Sequence, residues 1–128
     1  MKRTILLVCC LLTLFVSNNI SAQQKHQIVR LAKTQVDPAQ LESYKAALKE
    51  SIEASVRLDP GVLTYYAVAD KANPSHITIL EIYADSAAYQ SHIETAHFKK
   101  YKNTVKDMVK SLELVDVDLI DAATKQKQ

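Results

Sequence analysis

Two histidines five residues apart, His92 and His97, are the first candidates for chemistry, because imidazole is the side chain whose ordinary titration lies near neutral pH. On an unbroken helix a five-residue step turns them about 140° apart, too far to face one metal ion together. The zinc spacing is four residues, and neither a cysteine nor an HExxH glutamate accompanies them, so no metal site is expected. A helix break near Thr95-Ala96 would instead let the two rings converge on one pocket. Glu81 lies within the apolar run Ile77-Thr78-Ile79-Leu80-Glu81-Ile82-Tyr83. A carboxylate in a buried strand needs a partner or changes its protonation, so Glu81 is expected to pair with His92 or Arg30, or to face a pocket with a shifted pKa. Strand alternation sends Tyr65 and Tyr66 to opposite faces; Tyr65, taken to share its face with Leu63, is assigned to the pocket side. A titratable base with aromatic surfaces beside it is equipment for moving a proton on a bound molecule.

The rest of the composition narrows the setting. The chain has 128 residues, one Gly, two Cys and no Trp, with a formal charge of +2. One Gly leaves no phosphate-cradling glycine loop, which sets aside dinucleotide and P-loop chemistry. Lys2 and Arg3 precede an apolar run from Ile5 to Val16 and a small residue at Ala22, the layout of a secretory signal peptide over residues 1–22. That run is too short for a stable membrane anchor. Its removal leaves 106 residues with equal numbers of acidic and basic side chains and no cysteine, since Cys9 and Cys10 both go with it. The expected mature protein is therefore periplasmic or secreted, free of disulfides and thiolates, and without the clustered positive charge that nucleic-acid binding requires.

The elements that position the candidate residues follow in order. Residues 26–36 suit a strand with Ile28, Arg30, Ala32 and Thr34 on one face. Asp37-Pro38 with Gln40 forms a capping-box-like helix start, and Leu41, Tyr44, Leu48, Ile52 and Val56 mark the apolar face of the helix. Asp59-Pro60-Gly61 stops it. Val62–Ala69 and His76–Tyr83 read as a hairpin around the polar turn 70–75. Asp85 caps a helical region that breaks near Thr95-Ala96 and continues through Phe98, Tyr101, Val105, Met108 and Leu112. A last strand is expected at Val115–Ile120, within a domain spanning 23–121, followed by a polar tail at 122–128. The order β-α-β-β-α-β specifies a ferredoxin-like α+β fold, an antiparallel four-stranded sheet with two helices on one face. Apolar residues on both faces of the central strands imply that a second copy covers the other face as a homodimer.

Asp59-Pro60-Gly61-Val62-Leu63 with Tyr65, then Leu80-Glu81-Ile82-Tyr83-Ala84-Asp85, then Ala88, His92 and Ala96-His97-Phe98, occur in order at short intervals. This set resembles the antibiotic biosynthesis monooxygenase (ABM) domain, and within it the quinol monooxygenases, over nearly all of residues 26–120. The resemblance implies a dimeric α+β barrel with a small-molecule pocket between sheet and helices. It also implies oxidation of hydroquinones, phenols or anthrones by O₂ without metal, haem or flavin. On that reading His97 or His92 is the base, Tyr65 and Tyr83 orient the ring, Phe98 lies against the substrate, and Arg30 or Glu81 tunes the charge. Haem-degrading relatives of this superfamily use a pocket Trp and a first-strand Asn, both absent here. An RNA-recognition module shares the element order but not the third-strand composition. A noncatalytic small-molecule-binding dimer and an isomerase of the same superfamily remain open.

Overall fold

The computed structural model describes residues 26–126; the expected signal peptide and the last two residues of the tail lie outside that range. Four antiparallel strands, β1 (Ile28–Val36), β2 (Val62–Ala69), β3 (His76–Tyr83) and β4 (Val109–Asp116), form one sheet in the order β2-β3-β1-β4. Three helices, α1 (Leu41–Leu58), α2 (Ser86–Ile93) and α3 (Ala96–Val105), accompany it. The ferredoxin-like order expected from sequence is the fold observed, with three helices in place of two. No described helix is long and apolar enough to cross a membrane.

Alternation along each strand divides the sheet. Register pairs Arg30 with Glu81, Ala32 with Ile79 and Thr34 with Ile77, and Ala32, Ile77 and Ile79 join Val36, Tyr44, Leu48 and Val105 in the core beneath the helices. Tyr65 pairs with Glu81 and belongs to this side. The register shift between Val62 and Thr64 makes Leu63 the inserted residue, so Val62, opposite Tyr83, shares the face of Tyr65, whereas Leu63 is exposed. Tyr66 and Val68 are largely exposed on the opposite side.

Three local expectations are corrected. The side-chain oxygen of Gln40 makes no hydrogen bond, so the capping box does not close; Asp37 alone caps the short 3₁₀ turn Pro38–Gln40 by accepting from the Ala39 N–H at 3.0 Å. Val56 is exposed and Ser55 is buried instead, its hydroxyl donating to the Ser51 carbonyl. At 3.6 residues per turn, Ser55 lies about 20° from Tyr44 around the axis and Val56 about 120°, so a strict four-residue step walks off the buried face. β4 starts at Val109, before the expected strand at Val115. Met108 and Leu112 have helical spacing, but the Met108 N–H closes a turn onto Val105 and the chain then pairs with β1 from Val36–Val109 to Arg30–Asp116. The ladder with β1 overrides a pattern that both structures could satisfy.

Two breaks bring the helical layer to its site. Asp85 accepts from the Ala88 N–H at 2.8 Å to start α2, and Thr95 accepts from the Phe98 N–H at 3.3 Å to start α3, which places the expected break between the two histidines. Gly61 lets α2 approach the α1–β2 turn: a Cβ there would stand 2.2 Å from the Ala88 Cβ and 3.1 Å from its Cα. Gly61→Ala is expected to cost about 1–3 kcal/mol in urea unfolding. Adding Ala88→Gly should recover part of that loss, and an unchanged unfolding midpoint for Gly61→Ala would contradict the packing.

Candidate active site

Between the sheet and the helices lies a cavity of about 90 Å³. β1 contributes Arg30, β2 Tyr65, β3 Glu81 and Tyr83, α2 Tyr89, and α3 Phe98, Tyr101 and Lys102; Leu112 and Leu114 of β4 complete one wall. Both leucines are about half exposed, which makes the β4 side the open one. Most of the lining is aromatic or aliphatic, with one carboxylate and two cations among it. That is the pattern of a small-molecule site, in which a few polar groups orient a ligand held by apolar contacts.

Glu81 is the acid of this cavity. Its Oε2 shares a 2.8 Å hydrogen bond with Tyr83 Oη, and burial raises its pKa; the Tyr83 bond and the charges of Arg30 and Lys102 act the other way. Arg30 does not pair directly with it. The Arg30 Nε donates to Asp116 Oδ1 at 2.7 Å, and the guanidinium lies 4.6 Å from the Tyr89 ring centroid. Both tyrosine hydroxyls next to Glu81 have pKa values pushed upward by burial and by its nearby charge, so they stay protonated.

His92 and His97 stand behind this wall. Neither lines the cavity, which corrects their expected direct contact with substrate. The break at Thr95 does bring them together: His92 Nδ1 and His97 Nε2 each lie 2.8 Å from the same oxygen, Asp59 Oδ2. The about 140° separation expected for an unbroken helix therefore does not apply. These three ligating atoms lie within 4.8 Å of one another, but 2.8 Å N···O distances are those of two N–H donors on one shared acceptor. His92 is fully buried and its pKa is lowered by desolvation, with Asp59 opposing the shift. Its other nitrogen, Nε2, is 3.0 Å from Tyr65 Oη, which is 2.9 Å from Tyr83 Oη.

The site thus unites Arg30, Tyr65, Glu81, Tyr83 and Phe98 at the cavity and holds His92 and His97 one layer away. Sequence reading missed Lys102 as a cavity residue and Asp59 as the anchor of both imidazoles. Asp59 carried a signal only as a helix stop, and the direction of its carboxylate depends on where α2 and α3 pack.

Comparison with known proteins agrees with this fold. The family model for antibiotic biosynthesis monooxygenase matches residues 27–104. The chain belongs to this family of monooxygenase-like proteins. A crystal structure of a candidate antibiotic biosynthesis monooxygenase from Bacteroides thetaiotaomicron is 57% identical, with a TM-score of 0.75, over 80% of this chain and 97% of that one. Candidate family members from Nitrosomonas europaea (24% identity, TM-score 0.70, 76% of this chain and 93% of that one) and Caulobacter crescentus (20%, 0.71, 77% and 93%) show the same fold. No curated protein matches the chain.

The burial of His92 has a measurable sign. Its folded pKa is lowered, so its contribution to stability is present above the ordinary value of 6.5 and is lost as pH falls through the folded value. His92→Gln should melt lower than wild type, with a gap that narrows from about pH 7.5 to about pH 5. A gap that is constant or widens toward acid would contradict a neutral buried imidazole.

Proposed function

We propose that the protein is a monooxygenase for a single-ring hydroquinone or phenol, in which the substrate supplies the electrons that reduce O₂. The observation that carries this reading is Glu81, a carboxylate whose pKa burial raises, in an aromatic cavity that two cations also line. A phenol reacts with O₂ more readily as its phenolate, so the protein's work is to remove a proton, stabilise the anion and exclude water. Glu81 takes the phenolic proton in its ionised form. Arg30 and Lys102 stabilise the phenolate, Tyr65 and Tyr83 orient the ring through their aromatic surfaces, and Phe98 and Tyr89 pack on it. For a hydroquinone the reaction balances as hydroquinone plus O₂ giving hydroxyquinone plus water: one oxygen atom enters the ring and the other leaves with two protons. A cavity of about 90 Å³ favours one ring.

The assignment of the base to Glu81 rests on its place in the cavity wall, where the imidazoles are absent. The proposed working form is a homodimer in which a second copy covers the face bearing Tyr66 and Val68, both more than 60% exposed in the single chain.

O₂ uptake with a panel of one-ring hydroquinones tests the reading. Glu81→Gln should keep its melting temperature and lose about 100-fold or more in kcat. Loss of stability with activity spared would make Glu81 structural. Saturable binding of the panel without O₂ uptake would overturn the reaction and leave a binding protein.

A further inference from the structure

Four hydrogen bonds run in series away from the cavity: Glu81–Tyr83 at 2.8 Å, Tyr83–Tyr65 at 2.9 Å, Tyr65–His92 at 3.0 Å and His92–Asp59 at 2.8 Å. Each link needs one proton. The two tyrosines and a neutral histidine supply three, and the two carboxylates when ionised supply none. The series is complete only with a fourth proton, carried by Glu81, His92 or Asp59. With the proton on Glu81, every bond points one way: Glu81 donates to Tyr83, Tyr83 to Tyr65, Tyr65 to His92 Nε2, and His92 Nδ1–H to Asp59. If each of the last three donors also passes its proton on, the surplus arrives at Asp59 and every bond reverses. Only O–H and N–H bonds change, and no electrons are transferred.

The two ends open in different places. Glu81 faces the substrate cavity, whereas the His97 side chain, 18% exposed, lines a separate cleft between α1 and α3 beside Ala47, Ser51 and Lys100. Asp59, 11% exposed, bridges His97 to the fully buried His92. A protonated Glu81 cannot act as a base, and a bound ring obstructs the cavity through which its proton could escape.

We propose that Glu81, Tyr83, Tyr65, His92 and Asp59 form a proton wire that strips Glu81 of its proton after a phenol has filled the cavity and delivers that proton to Asp59, beside the His97 cleft. The proposal rests on Glu81 as the cavity base and gives His92 a positioning and relay role without substrate contact. The groups facing His92 are Asp59, Tyr65, Tyr83 and His97; those acting on Glu81 are Tyr83, Arg30 and Lys102, with Tyr65 and Tyr101 coupled to its charge. Burial raises the Glu81 pKa and lowers that of His92, both of which favour the surplus on Glu81 at rest.

The test uses 4-nitrophenol, a one-ring phenol whose phenolate absorbs visible light, mixed with the full chain in a stopped-flow instrument. Wild type should convert bound phenol to phenolate, and His92→Gln should slow that conversion about tenfold or more near neutral pH with little change in Kd. The defect should shrink as pH rises through the raised Glu81 pKa, because a carboxylate already ionised needs no wire. Tyr65→Phe, which keeps the ring and removes the hydroxyl, should show the same pH-dependent defect and serves if His92→Gln does not fold. Equal rates in wild type and variants, or a defect independent of pH, would overturn the wire. Failure of wild type to bind or ionise the phenol would overturn both the wire and Glu81 as base. Normal ionisation without O₂ uptake on hydroquinones would overturn the monooxygenase reading alone.

Discussion

One carboxylate oxygen organises the helical side of this protein. Asp59 Oδ2 receives His92 from α2 and His97 from α3, and Asp59 itself ends α1. Three helices are thereby tied at one point, and the imidazole of His92 is oriented so that its second nitrogen meets Tyr65. Tyr65 is in turn held by Tyr83, which holds Glu81. The position of the cavity carboxylate therefore depends on a bond made two layers away. The close approach permitted by Gly61 belongs to the same constraint, since α2 must pack against the turn that carries Asp59.

Such a series is costly unless complete. A buried polar group without its partner loses its hydration without compensation, and in a low-dielectric interior the penalty is larger than in water. Three protons cannot fill four bonds, so the network holds a fourth, and desolvation decides where it rests. Burial disfavours charge on both Glu81 and His92, which makes the neutral acid and the neutral imidazole the compatible pair. The same network that secures the fold thus bears on the protonation of the cavity acid Glu81.

Much of this was legible before the fold. Asp85 announced a helix start, the apolar phase shift a break near Thr95-Ala96, and β3 was bounded to the residue by its apolar and β-branched run. Glu81 and Tyr83 share a strand face two residues apart, so their contact follows from alternation. Other features depend on tertiary choice. Met108 and Leu112 fit a helix as well as the approach to a strand, and only pairing with β1 resolves them. Local sequence reports neither the direction of the Asp59 carboxylate nor the proximity of Lys102 to Glu81, because each is set by where α3 lies on the sheet.

The central claim is that one surplus proton completes the series and rests on Glu81. Neutron diffraction from crystals of the deuterated protein near neutral pH tests it most directly. The account predicts four deuterons in the four links, bonded to Glu81, Tyr83, Tyr65 and His92 Nδ1, with His92 Nε2 bare. A link without a deuteron, or bonds polarised from His92 toward Glu81, would contradict it.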